Sequence, residues 1–218
     1  PFFEKYKPSL VFSGQLFDDV EAALIREAKK RGVPVLALVT SWDKLTARAM
    51  IRILPDNFLI PNEITRKEAI RYHSVPEERI KVVGTPQYDY YVTQKPRPRE
   101  EFLRRIGVKE GDKVIVYCPM GKTYSDSDGD MINLIYEARE AGKIPKNVHI
   151  LVRMQPNDPL AAEKVPLRPG LSVDCPGVRF GGERGVDWDM TLEDLLHLLD
   201  TLAYGDLFIC YASSMSID

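Results

Sequence analysis

Short apolar runs alternate with longer amphipathic segments along most of the chain. The first example is an apolar run at 9–12, then a segment from 18 to 31 with apolar positions at helical spacing, then the apolar run 33–39. This order is typical of a parallel sheet, because consecutive parallel strands need a crossover connection that is usually a helix. The same reasoning predicts strands at 58–60, 80–83, 114–117, 148–152, 171–173, 178–180 and 206–211, and helices at 63–73, 100–106, 130–141 and 192–202.

The clearest interruption of this pattern is the segment 94–99, which reads Gln-Lys-Pro-Arg-Pro-Arg. Two prolines so close together fit neither a helix interior nor a central strand. Because the alternation restarts afterwards, we predict two doubly wound α/β domains of the Rossmann-like kind, at 1–93 and 100–218, joined by a linker at 94–99. We expect both to be incomplete: the first lacks its opening strands and the second its closing strands.

Composition and charge narrow the class of protein. The 218 residues carry a formal net charge of −2 with both signs interspersed, which favours neither nucleic acid nor an anionic membrane as a partner. No apolar run approaches the roughly 20 residues that span a bilayer. The three cysteines show no Cys-x-x-Cys spacing, so we expect reduced core thiols in the cytoplasm rather than disulfides or a metal site.

In parallel α/β folds, ligands bind beyond the carboxyl ends of the strands, so candidate chemistry is expected in the loops that follow the predicted strands. After 33–39 come Ser41, Trp42 and Asp43. A Trp beside a carboxylate suits contact with a sugar or polyol. The alternative is that Trp42 packs on its own domain and Asp43 caps a helix that begins at Lys44.

The loops after 114–117 and 148–152 offer phosphate-binding chemistry. Gly121, Lys122 and Thr123 resemble part of a P-loop, but the first glycine of that motif is absent, so a Walker site is rejected. The alternative is a surface turn. Arg153 could clamp a phosphate or form a salt bridge with a neighbouring acidic loop. The acidic segment 126–130 is interpreted as a loop with Asp130 as a helix cap, not as a calcium site.

The last residues combine a buried strand with a sharp turn into a predicted helix. Ser213 and Ser214 stand at the start of that helix, and Asp218 lies about one turn further on. Hydroxyls and free amides at a helix start can hold a phosphate, and a later carboxylate can accept from ribose hydroxyls. Ordinary capping by Ser213 is the alternative. The three histidines, His73, His149 and His197, are expected to be structural, and no catalytic triad or metal spacing is present.

Several of these segments together resemble a known superfamily of surface-polysaccharide enzymes. The resemblance is carried by 41–46, 54–60, 68–80, 83–89 and 195–218. The similar proteins are GT-B glycosyltransferases, CDP-glycerol glycerophosphotransferases and UDP-N-acetylglucosamine 2-epimerases. The resemblance implies two Rossmann-like domains of GT-B type, in which the C-terminal domain binds a nucleotide-activated donor and the N-terminal domain handles the acceptor.

This resemblance assigns roles to the candidate residues. The donor side would comprise Ser213, Ser214, Asp218, Gly121, Lys122, Thr123, Arg153 and Gln155, and the acceptor side Ser41, Trp42 and Asp43. Asp43 is the one candidate for a catalytic base. No cofactor and no metal are expected, since the helix start with Lys122 and Arg153 would stabilise the departing diphosphate.

The implied function is a transferase that moves a sugar or glycerol-phosphate-like group from a nucleotide-diphosphate donor to a cell-surface polysaccharide or glycolipid. It would act in the cytoplasm or peripherally at the inner face of the membrane, and the 218 residues alone are not expected to turn over. Two departures matter. Gln155-Pro156 stands where relatives often have His-Pro, and 119–123 lacks the His-Arg-x-Glu-Asn segment of the epimerases, which disfavours epimerase chemistry. An epimerase or a non-catalytic nucleotide-sugar module remains an alternative.

Overall fold

The computed structural model describes residues 2–47, 50–121, 124–156, 165, 167–181, 187–211 and 214–216. The chain divides into two compact units, Pro1–Tyr90 and Tyr91–Asp218, here called unit 1 and unit 2. The predicted class is confirmed, because each unit contains a four-stranded sheet whose strands are all parallel.

Unit 1 has its strands in chain order across the sheet, β1-β2-β3-β4. The strands are β1 (Val11–Ser13), β2 (Val35–Leu38), β3 (Asn57–Ile60) and β4 (Ile80–Val82). The helices are α1 (Phe2–Tyr6), α2 (Asp19–Lys30), α3 (Lys44–Ala47), α4 (Glu63–His73) and α5 (Pro86–Thr93), with a 3₁₀ helix at Glu77–Arg79 and with α5 straddling the division between the units.

Side-chain caps fix where the main helices of unit 1 begin. The Asp18 carboxylate accepts a hydrogen bond from the Val20 amide at 2.7 Å, and the Asn62 side chain accepts one from the Thr65 amide at 2.9 Å. Each cap satisfies an amide that has no partner within its own helix. From Asp18 onwards, α2 buries Ala22, Ile25 and Ala28 at helical spacing. Val20 and Ala23, which the apolar pattern also assigns to the inner face, are exposed instead.

Unit 2 has the strand order β10-β5-β6-β7. The strands of this sheet are β5 (Lys113–Cys118), β6 (Val148–Arg153), β7 (Leu171–Asp174) and β10 (Leu207–Cys210), and a separate antiparallel hairpin is formed by β8 (Val178–Arg179) and β9 (Trp188–Asp189). The helices are α6 (Arg99–Arg105), α7 (Asp128–Glu140) and α8 (Leu192–Tyr204), and a 3₁₀ helix spans Ser214–Ser216.

The sheet of unit 2 is covered on both faces, as a doubly wound fold requires. Val114 and Val116 of β5 belong to one core cluster with Phe102 of α6, whereas Tyr117 belongs to another with Ile135 of α7. Alternate residues of a strand point to opposite faces, so one strand supplies both clusters. This explains why β5 reads as a continuous apolar run rather than an alternating one.

Several elements differ from the sequence prediction, and neither α1 nor β9 was predicted. Residues 86–93 form α5, although no helix was predicted there, because this Tyr-rich helix buries none of its residues and so shows no apolar periodicity. The helix predicted from Asp130 begins at Asp128, with Ser127 in the cap position. Asp130 is therefore in the first turn rather than at the cap, and the expected acidic loop ends earlier.

Candidate functional site

The strand order of unit 2 has its topological switch point between β5 and β10. The chain proceeds from β5 to β6 and β7 on one side, and then returns to place β10 on the other side of β5. Cys118 and Cys210 are register partners at the carboxyl ends of these two strands. Loops that leave two such strands diverge, and doubly wound folds bind ligands at this switch point. The predicted donor residues follow β5, β10 and the neighbouring β6.

The loop after β5 is held by a carboxylate from the start of α7. Asp128 accepts hydrogen bonds from the Tyr117 hydroxyl at 2.8 Å, the Met120 amide at 3.1 Å and the Gly121 amide at 2.9 Å. Gly121 has a φ of +83°, a backbone conformation that glycine adopts without strain. The amides of Met120 and Gly121 are therefore already bound by an internal anion.

Further contacts complete the conformation of this loop. The Gln155 side-chain amide donates to the Met120 carbonyl at 2.9 Å, and the Gly121 carbonyl accepts from the amides of Tyr124 at 3.0 Å and Ser125 at 3.1 Å. Gln155, predicted to contact donor, thus connects the loops after β6 and β5. Burial, together with the hydrogen bond to Asp128, raises the pKa of the Tyr117 phenol, which therefore stays protonated and donates to the carboxylate.

Arg153 lies at the end of β6 and is 5% exposed. It forms an ion pair with Asp174 at the end of β7, and the same carboxylate lies 3.1 Å from the Nε2 atom of His197 on α8. Burial by itself would raise the pKa of Asp174, but the hydrogen bond from His197 and the charge of Arg153 outweigh it and lower that pKa. Asp174 is therefore ionised at neutral pH and compensates the charge of Arg153.

The segment after β10 is described only in part. Ser214 begins the 3₁₀ helix Ser214–Ser216. The other predicted donor residues of this segment, Ser213 and Asp218, lie outside the described residues, as do Lys122 and Thr123 of the loop after β5. Their proposed roles stay predictions from the sequence.

The loop after β2 carries the predicted acceptor residues. Trp42 is 63% exposed, so the alternative in which it packs on its own unit is wrong. The Ser41 hydroxyl donates to the Asp43 carboxylate, and α3 begins at the next residue, Lys44. The Lys44 ammonium donates to the Gln15 side chain at 3.3 Å, which connects this loop to the one after β1. An aromatic face and a carboxylate thus stand together at the carboxyl edge of this sheet.

The histidines are buried and hydrogen-bonded, in keeping with the structural role expected of them. His73 accepts from the Ile51 amide through Nδ1 at 3.3 Å and lies 2.8 Å from the Leu45 carbonyl through Nε2. His149 lies 2.8 Å from the Ser172 hydroxyl. Within the described part of the chain, no three side chains of the metal-binding types come together, and no helix is long and apolar enough to cross a bilayer.

The sequence analysis missed three features of this region: the contacts of Asp128, the contacts of Asp174, and the contact of His197 with Asp174. Asp128 belongs to an acidic segment in which the sequence does not distinguish one aspartate from another. Its hydrogen bonds depend on where α7 begins. Asp174 could have been found, because an Arg directly after a predicted buried strand implies a nearby carboxylate, and a salt bridge was one of the two alternatives for Arg153.

Comparison with known proteins adds a family. The sequence model of the CDP-glycerol:poly(glycerophosphate) glycerophosphotransferases matches residues 39–164, more than half of the chain. The chain belongs to this family. The matched segment crosses the division between the two units and includes the loops after β2, β5 and β6. No curated protein shows a significant match to the chain.

Solved structures show the fold. UDP-N-acetylglucosamine 2-epimerase from Neisseria meningitidis, bound to UDP-GlcNAc, has a TM-score of 0.58 at 12% identity over 98% of this chain and 57% of that one. The enzyme of the same name from Methanocaldococcus jannaschii has a TM-score of 0.57 at 16% identity, over 98% of this chain and 59% of that one. A co-structure of S. aureus MnaA with UDP has a TM-score of 0.60 at 11% identity, over 98% of this chain and 56% of that one. The two units are thus Rossmann-like parallel-sheet units of GT-B type, and the chain spans less than three fifths of these proteins.

Proposed function

We propose that the protein is a transferase that moves a sugar or a glycerol-phosphate-like group from a nucleotide-diphosphate donor to a cell-surface polysaccharide or glycolipid. The observation that carries the proposal is the family match over residues 39–164, which contains the loops on both predicted sides of the reaction. The strand order of unit 2 supports it, because the remaining donor residues follow β10 on the other side of the switch point.

On the donor side, the proposal places the phosphates beyond β5 and β10. The amides of Met120 and Gly121 are bound to Asp128, and the charge of Arg153 is compensated by Asp174. Lys122 is therefore the proposed cation for the departing phosphate, with hydroxyls from Thr123, Ser213 and Ser214 as donors and Asp218 toward the ribose. The proposed mechanism is positioning and charge stabilisation by these groups, without a metal ion.

On the acceptor side, Trp42 offers an exposed aromatic face to a sugar or polyol. An acceptor hydroxyl must lose its proton as it attacks the donor, and Asp43 is the proposed base because it stands next to Trp42 in the loop after β2. Its carboxylate accepts a hydrogen bond from the Ser41 hydroxyl. The proposed setting is the cytoplasm or the inner face of the membrane.

The test is a calorimetric titration of the full-length protein with CDP, UDP, GDP and dTDP, followed by a transfer assay of the same protein with the matching activated donors. We expect one nucleotide to bind and the Ser214→Ala variant to bind it more weakly by about 1–3 kcal/mol, as expected for the loss of a hydrogen bond to a charged group. Leu134→Ala, an exposed position on α7, is the control and should leave the affinity unchanged.

Absence of heat with all four nucleotides would overturn the transferase proposal. An unchanged affinity in Ser214→Ala would overturn the placement of the diphosphate after β10 but not the transferase proposal. Incubation with UDP-N-acetylglucosamine and no acceptor tests the alternative, since formation of the 2-epimer would show epimerase chemistry instead.

A further inference from the structure

The carboxylate of Asp128 gathers three hydrogen-bond donors from outside its own helix. The Oδ1 atom accepts from the Tyr117 hydroxyl and the Met120 amide, and the Oδ2 atom accepts from the Gly121 amide. The donors come from the end of β5 and the loop beyond it, whereas the acceptor opens α7. Both oxygens are thus used to join a helix to a loop that follows the central strand of unit 2.

This arrangement is not a helix cap. The cap position of α7 is Ser127, whose side chain makes no capping hydrogen bond, and the Asp128 oxygens bind the preceding loop instead of the α7 amides. Hydrogen bonds to a carboxylate are roughly twice as strong as neutral ones. Tyr117 is fully buried, so its hydroxyl fixes one carboxylate oxygen from within the core.

The carbonyl groups of Met120 and Gly121 also have hydrogen-bond partners. The Met120 carbonyl accepts from Gln155, and the Gly121 carbonyl accepts from two later amides. With both carbonyls and both amides of 120–121 engaged, the backbone of these two residues is held by internal contacts. Asp128 supplies the acceptor for both amides.

We propose that Asp128 is a positioning residue for donor binding. It binds the amides of Met120 and Gly121 as an internal anion and holds the loop backbone at the end of β5, so that the donor phosphate is bound by groups other than these two amides. This inference rests on the proposed function, because it concerns how that donor is held. Asp128 was not among the predicted site residues. In this inference the amides of Met120 and Gly121 bind Asp128 and not the donor.

The experiment compares Asp128→Asn with Asp130→Asn. Both remove one negative charge from the first turn of α7. Among the described residues of the loop the contacts are made to Asp128, and Asp130 is exposed. In Asp128→Asn the side-chain NH₂ group faces the Gly121 amide, so a donor meets a donor. Tyr117→Phe is a milder variant that removes one hydroxyl and keeps the buried ring.

Two readouts are measured on each variant. Hydrogen exchange should accelerate in peptides that cover 118–121 and stay unchanged in β6 and β7. The nucleoside diphosphate that binds the unmodified protein should bind Asp128→Asn about 10-fold more weakly, Tyr117→Phe less so, and Asp130→Asn unchanged.

The outcomes separate this inference from the proposed function. If the unmodified protein binds a nucleotide and Asp128→Asn binds it equally well, the inference fails and the proposed function stands. Tighter binding by Asp128→Asn would show that the carboxylate competes with phosphate, which also overturns the positioning role. Accelerated exchange throughout β6 and β7 with a lower melting temperature would show a merely structural role. If the unmodified protein binds none of the nucleotides, the proposed function and the inference fall together.

Discussion

The pairing of Arg153 with Asp174 decides what this arginine can contribute to a phosphate site. Arg153 is almost fully buried, and its guanidinium faces a carboxylate that is ionised at neutral pH. A phosphate that approached it would have to displace Asp174, which also accepts from His197. Removing one partner of a buried ion pair costs several kcal/mol, so this exchange is unfavourable. The pairing therefore shifts the expected phosphate contacts toward Lys122.

His149 makes folding stability depend on pH. Burial, together with the positive charge of Arg139, lowers its pKa from 6.5 to about 4 in the folded protein. Between these two values the unfolded chain binds the proton and the folded protein does not, so stability decreases as the pH falls from 6.5 toward 4. The total loss is on the order of 3 kcal/mol, because each tenfold difference in proton affinity between the two states corresponds to about 1.4 kcal/mol.

We expect His149→Gln to flatten this part of the stability profile, because glutamine does not titrate and its amide can still bond Ser172. Urea unfolding at a series of pH values from 7 down to 4 gives the slope for both proteins. Parallel stability curves for the two proteins would show that His149 does not carry the effect.

At the scale of elements, apolar patterning predicted every strand of the two parallel sheets, since their central strands are buried on both faces. It missed α5, which buries nothing, although Pro86 in the first helical position is itself a helix-start signal. It also placed the start of α7 at Asp130 instead of Asp128. The loop after β5 shows the limit of sequence-based prediction. Its residues were identified as candidates, but the binding of its amides to Asp128 depends on how α7 packs against the loop.

The linker predicted at 94–99 is bound to α8 through Arg97. The Asp200 carboxylate, 1% exposed, accepts from the Arg97 amide at 2.8 Å and from its Nε atom at 2.7 Å, and Glu193 accepts from Nη1 at 2.6 Å. The Tyr204 hydroxyl donates to the Arg97 carbonyl. These contacts hold the residue between the two prolines against unit 2.

We predict that Arg97→Leu lowers the free energy of unfolding by about 3 kcal/mol, because it leaves the buried Asp200 carboxylate without its ion-pair partner. Arg104→Leu, at an exposed position on α6, is the control and should change stability by less than about 0.5 kcal/mol. Denaturant unfolding followed by fluorescence measures both. Adding Asp200→Leu to Arg97→Leu should recover part of the lost stability. Equal stability of Arg97→Leu and Arg104→Leu would contradict the prediction.

For the whole molecule, the matched family segment begins in unit 1 and ends in unit 2. The fold class could be inferred from the sequence because the alternation of strands and helices follows from local patterns, and the family was suggested by the resemblance of particular segments. The internal partners of the proposed donor residues could not be predicted, since the Gly121 amide binds Asp128 and the Arg153 guanidinium pairs with Asp174, and each partner is separate in sequence. The proposed acceptor residues belong to unit 1 and the proposed donor residues to unit 2, so each proposal is tested with variants in its own unit.

Trp42 provides the test in unit 1. If it contacts the acceptor, Trp42→Ala should raise the KM for the acceptor about 10-fold, as truncation of a contacting Trp commonly costs about 1–2 kcal/mol or more, while the Kd of the nucleotide stays unchanged. Tyr72→Ala removes another exposed aromatic side chain of unit 1, on α4, and should change neither value. Steady-state transfer assays and calorimetry give the two constants separately. A weaker nucleotide Kd in Trp42→Ala would move Trp42 to the donor side, and an unchanged acceptor KM would remove it from the site.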